Sequence, residues 1–163
     1  MTAGSRLQPV FPFPRSSVDR GPGARSEAVA AGTYVDPVAH FSRLIKVVID
    51  VPASDHDREL SFWAAALGQP LPQFACPEYH GAASHGQEFW LLTQCLGEGP
   101  ARMHLDIHTD DLEAEVARLE QLGAEPVQQV LAWQLMRDPA GLMFCVVPDP
   151  PGTLHEGNAR RWD

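Results

Sequence analysis

The chain runs one pattern twice. A β-branched segment, Leu44-Ile-Lys-Val-Val-Ile-Asp-Val51, precedes a helical stretch closing on Leu67-Gly68. A second strand-like segment, Arg102-Met-His-Leu-Asp-Ile-His-Thr109, precedes a helical stretch closing on Leu122-Gly123. The closing glycines are 55 positions apart, and short strand-like runs follow each. One copy of about 55 residues buries too little surface to be stable alone, whereas two copies packed as one sheet system make an adequate core. The repeat therefore predicts an α+β domain of two packed units.

Local signals set the elements. Pro52 ends the first strand, and Ser54 or Asp55 can cap a helix whose positive end suits Asp57 and Glu59. Leu60, Trp63, Ala64 and Leu67 share one face, which predicts a helix over 54–67 with Trp63 in the core. In the second copy Asp110 or Asp111 caps a helix over 111–122, with Leu112, Val116, Leu119 and Leu122 apolar. Glu113, Glu115 and Glu120 read as its solvated surface. Strands are expected near Phe74-Ala75, Tyr79 to Ala83 and Glu88 to Gln94, then at Pro126 to Val130, Ala132 to Leu135 and Leu142 to Val147. Asp138-Pro-Ala-Gly141 is the tight turn before the last.

Residues 1–40 hold five Pro and four Gly without apolar periodicity, the composition of a disordered tail. The expected domain is 41–150, with units at about 43–97 and 101–149, and 151–163 as a C-terminal tail. Net charge is +1 over residues 1–40 and −10 over 41–163. So acidic a domain repels phosphate backbones and anionic lipid, which argues against nucleic-acid and membrane partners. Three cysteines, none spaced as CxxC, fit a reducing, cytoplasmic setting and no structural zinc site.

Strand parity marks the candidate site. Side chains alternate faces along a strand. Met103, Leu105 and Ile107 suit packing under helices, which leaves His104, Asp106 and His108 on the opposite face. In the first strand Ile45, Val47, Ile49 and Val51 form the apolar face, opposite Lys46, Val48 and Asp50. A buried polar row needs partners or a wet cavity.

In their order, Phe62-Trp63-Ala-Ala-Ala-Leu-Gly68, His104-Leu-Asp-Ile-His-Thr-Asp-Asp111, Leu122-Gly-Ala124, Asp138-Pro-Ala-Gly141 and Phe144-Cys-Val-Val147 resemble the vicinal oxygen chelate superfamily, and within it the glyoxalase-like, bleomycin-resistance-like domains. The resemblance covers residues 43 to about 149. It implies two βαβββ modules forming a cup-shaped mixed sheet with helices outside, a small-molecule site inside, and often a divalent metal held by four positions on the first and last strands of the modules. His104 matches one position. The others fall on Lys46, on Trp90 or Leu92 with Gln94 beyond, and on Cys145, where a protonated amine, apolar side chains and a thiol replace the usual ligands. No cofactor is assigned, although His104, Asp106, His108 and Cys145 form an alternative donor set for a divalent metal. The expected catalytic residues are His104, His108 and Asp106, with Lys46, Asp50, Trp90 and Cys145 binding ligand. His80 and His85 read as hairpin histidines. Two activities stay open: a lyase or isomerase using a histidine base, or a binding protein that sequesters a small aromatic or antibiotic-like molecule. The expected partner is that small molecule, with a homodimer as a further expectation.

Overall fold

The computed structural model describes residues 39–84, 88–97 and 99–163; the expected N-terminal tail, apart from its last two residues, and His85 lie outside this range. The elements run β1 (His40–Pro52), α1 (His56–Leu67), β2 (Tyr79–Ala83), β3 (Trp90–Leu96), β4 (Arg102–Thr109), α2 (Leu112–Gln121), β5 (Glu125–Val130), β6 (Trp133–Arg137), β7 (Met143–Pro148) and β8 (Arg160–Trp162). The strands form one mixed sheet in the order β2-β3-β1-β4-β7-β6-β5, with β8 paired to β1. The fold class is α+β, as expected.

The duplication is visible in the pairing. The first strand of each unit pairs parallel with its last: β1 with β3, aligning Lys46 with Trp90, and β4 with β7, aligning Asp106 with Cys145. β1 and β4 pair antiparallel at the centre and set Lys46 opposite Asp106. The units are not equal. The run expected near Phe74-Ala75 reduces to a single bridge, Gln73 to His80, because Pro70, Pro72 and Pro77 supply no N–H for a ladder.

Val48, Asp50, Leu92, His104, Asp106, Leu135 and Cys145 are buried on the face away from the helices, so the sheet closes over that face and makes it the inward one. On the outer face, Leu119 of α2 packs with Met136 and Val146, flanked by Ile107, Val116 and Phe144.

Three expectations of burial are corrected. Met103 is 67% exposed and Leu105 also open; they face the helix side, but only Ile107 lies under α2. Trp63 is half-buried, its indole N–H donating to Glu59 within α1, because α1 meets the sheet chiefly through its first turn, where His56 alone is buried. Glu115 is not solvated but fully buried. Its carboxylate accepts hydrogen bonds from His40 Nε2 (2.8 Å), Ser42 Oγ (2.9 Å) and two nitrogens of the Arg118 guanidinium, Nε and Nη2 (2.7 Å each).

The segment 151–163 is likewise not a tail throughout. β8 pairs with His40–Ser42; Trp162 donates its indole N–H to Ser42 Oγ at 2.7 Å and stacks under Arg118 at 3.9 Å. The register slips between Leu44 and Lys46. This bulge turns His40 and Ser42 to the helix side while Lys46, Val48 and Asp50 face inward.

Backbone geometry explains two glycines. Gly68 ends α1 with φ of 66°, where a Cβ would be strained. Gly81 has an ordinary φ but no room: a Cβ there would meet Leu91 O at 2.5 Å and Leu92 Cγ at 2.9 Å. Gly81→Ala is expected to cost about 1–3 kcal/mol by forcing β2 off β3, read as a lower midpoint in urea unfolding. An unchanged midpoint would show that β2 yields freely.

Candidate functional site

The inward face brings the sequence-predicted residues together. Lys46, Val48 and Asp50 of β1 lie between Trp90, Leu92 and Gln94 of β3 and Asp106, His104 and Arg102 of β4; Cys145 follows on β7. Tyr79 of β2 closes one side, its hydroxyl accepting from Gln94 at 2.9 Å. Phe74 and Trp90 meet at 6.0 Å between centroids, their planes tilted by 51°.

His104 sits inside a carboxylate clamp. Its Nδ1 is 3.3 Å from Asp50 Oδ2 and its Nε2 is 3.4 Å from Asp106 Oδ1. Arg102 Nε donates to the same Asp50 oxygen at 2.9 Å. Burial opposes the charged ring, but Asp106, Asp50 and Cys145 outweigh it and push its pKa up to about 12. A carboxylate at each ring nitrogen is best met by an imidazolium, which donates from both. His104 is therefore a fixed cation at neutral pH, unsuited to the base role expected of it.

His108 differs. Its Nδ1 lies 2.6 Å from Asp149 Oδ1, and the carboxylate can only accept, so Nδ1 carries the proton. Burial and the Lys46 charge hold its pKa below 6.5 despite Asp149 and Asp106. Neutral His108 thus carries a lone pair at Nε2, which is buried and has no hydrogen-bond partner among the described residues. Lys46 is half-buried. Burial lowers its pKa, partly countered by Asp106 and Asp149. Burial likewise raises the Cys145 thiol, against the pull of His104.

Asp149 was missed by sequence reasoning. It follows β7 in a proline-rich segment, and nothing in its local sequence ties it to His108, 41 positions earlier. Arg102 and Tyr79 were also missed, although parity on β4 and β2 places both inward.

The family's metal positions do not fit a divalent ion here. Lys46 offers an ammonium or a weakly placed amine, Trp90 and Leu92 offer no ligand, and only His104 and Cys145 carry donors. A different trio does converge: the ligand atoms of His104, Asp106 and Cys145 lie within 4.8 Å of one another. An ion there would have to displace the proton that His104 holds against two carboxylates. No cofactor step is derived from this set.

The glyoxalase-like domain profile matches residues 46–147. The chain therefore belongs to the glyoxalase-like domain family. Among solved structures, methylmalonyl-CoA epimerase from Mycobacterium tuberculosis is 18% identical with a TM-score of 0.51, the match covering 66% of this chain and 88% of that one. The Mn(II)-bound glyoxalase from Novosphingobium aromaticivorans is 19% identical with a TM-score of 0.49, over 69% of this chain and 40% of that one. At such identities the likeness is one of fold. No curated protein sequence matches the chain.

Proposed function

We propose that the inward face binds a small organic molecule and that His108, oriented by Asp149, moves a proton on it, an isomerase or lyase type of step. The observation that carries this reading is the 2.6 Å His108–Asp149 contact beside an unpartnered, buried Nε2. A positioned base of this kind contributes about 10²–10⁴-fold. The clamped His104 cation supplies fixed positive charge for an anion developing nearby. A cytoplasmic setting belongs to the same reading, supported by three unpaired cysteines.

The test pairs binding with proton transfer. Small carboxylic and carbonyl compounds are screened for a rise in melting temperature, since a ligand of the native state stabilises it. Those that bind are incubated in D2O, and C–H loss is followed by proton NMR. His108→Asn keeps a donor toward Asp149 and removes the base. It should leave the thermal shift and slow exchange about 100-fold. Because the His108 pKa is lowered, exchange by the wild type should persist below pH 6.5 before it falls.

The Phe74–Trp90 aromatic wall favours a second reading, a protein that sequesters a flat molecule without turnover. Thermal stabilisation with exchange no faster than in buffer would select it.

A further inference from the structure

Of the chain's 12 lysine and arginine residues, Lys46 is the only lysine. Every other basic side chain of this pair is a guanidinium, which does not lose its proton in a protein. The one side chain able to serve as a primary amine thus stands at the centre of the inward face, opposite Asp106 and beside Trp90 in register. A lysine kept for surface charge would be interchangeable with the arginines used elsewhere, and would not need this position.

Its surroundings suit a nucleophile. Lys46 forms no ion pair within 4.0 Å and no hydrogen bond among the described residues, so its nitrogen is not committed to a carboxylate. His108 lies two residues beyond Asp106 on the same face of β4, and its Nε2 is buried with no hydrogen-bond partner among the described residues. Asp106 and Asp149 both act on Lys46 electrostatically and can balance a cation formed there.

We propose that Lys46 is a Schiff-base nucleophile for a small aldehyde or ketone held on the inward face. The claim rests on the acid–base reading of His108 and narrows the substrate to a carbonyl compound. The free amine adds to the carbonyl carbon; a C–N bond forms and the carbonyl π pair goes to oxygen, which takes one proton from solvent. His108 Nε2 accepts the proton released by nitrogen and returns it to the departing hydroxyl, which leaves with the C–O bond pair as water. Amine, carbonyl and one solvent proton thus give the protonated imine and water, with no oxidant or reductant consumed. The protonated imine withdraws electrons from the adjacent carbon, so a C–H there becomes acidic enough for His108 to remove.

Reductive methylation tests the amine directly. The full chain is treated at pH 7 with formaldehyde and cyanoborohydride, with Nα-acetyl-lysine in the same tube as reference, and the Lys46 peptide is followed by mass spectrometry. A lone lysine makes the assignment unambiguous. Burial lowers the Lys46 pKa and thereby raises its free-amine fraction above that of the reference, so Lys46 should react faster than the reference. That advantage should vanish in urea and diminish in His108→Asn. Repeating the trap with pyruvate or propanal in place of formaldehyde should add the corresponding alkyl group to the same peptide, and Lys46→Arg should add none. Lys46 reacting no faster than the reference in the native protein overturns the proposal. If compounds still bind and exchange deuterium in that case, the acid–base reading survives alone. If Lys46 is trapped quickly but nothing exchanges, the nucleophile stands and the His108 reading falls.

Discussion

Glu115→Ala is expected to lower stability by about 3–5 kcal/mol, because removing one member of a buried charged network leaves its partners uncompensated. Four donor contacts from His40, Ser42 and Arg118 converge on this fully buried carboxylate. Ser42 also receives the Trp162 indole. One residue of α2 thus ties the start of β1 and the closing strand β8 to the helix. For a domain of this size the loss corresponds to a melting temperature lower by about 10 °C or more. The pH dependence has a definite sign. Burial raises the Glu115 pKa, but Arg118, His40 and Ser42 outweigh it, so the folded pKa lies below 4.5. Its contribution is present above pH 4.5 and is lost as pH falls through the folded value. The wild type and Glu115→Ala should therefore converge in stability in strong acid. Urea unfolding at pH 7 and pH 3 checks both points, and a difference that stays constant with pH would show that the carboxylate's charge is not what holds the network.

His104→Leu is expected to cost about 3 kcal/mol, the lower end for breaking a buried ion pair, since Arg102 remains on Asp50. Asp106 loses its nearest cation. The contacts of His104 with two buried carboxylates make its loss a cost to the fold and not only to ligand binding. The sign follows from the raised pKa. A group whose folded pKa is about 12 against 6.5 unfolded stabilises fully below pH 6.5 and loses that contribution as pH rises toward 12. The gap between wild type and His104→Leu should shrink progressively from neutral to alkaline pH. Replacing Asp106 with Leu in the same chain should recover part of the loss, because the pair is then removed whole. If the double variant is as unstable as the sum of the singles, the two side chains are not coupled.

Local signals carried far into this fold because the repeat, the caps and the strand periods agree with one another. Helices expected over 54–67 and 111–122 form over His56–Leu67 and Leu112–Gln121. The alternation in 102–109 placed His104, Asp106 and His108 on one face, and the pairing of β4 with β1 and β7 keeps them there. Glu115 shows where periodicity fails. On the helix it is one acid among several, and only β1 and Arg118, folded against it, make burial tolerable. The bulge at Leu44–Lys46 is equally invisible in sequence; without it the polar ends of β1 could not reach α2 while Lys46 points inward.

The sequence by itself determined the duplication, the α+β class, the two helices and which side chains of β1 and β4 share a face, since each depends on neighbours a few residues apart. Only the tertiary structure decided the protonation of those side chains. His104 and His108 are four positions apart on one strand face, yet the pKa of the first is raised and that of the second lowered. The difference comes from Asp106 and Asp50, which flank His104 and outweigh its burial, set against burial and the Lys46 charge at His108, which outweigh Asp149; all of these reach the rings through space rather than along the chain.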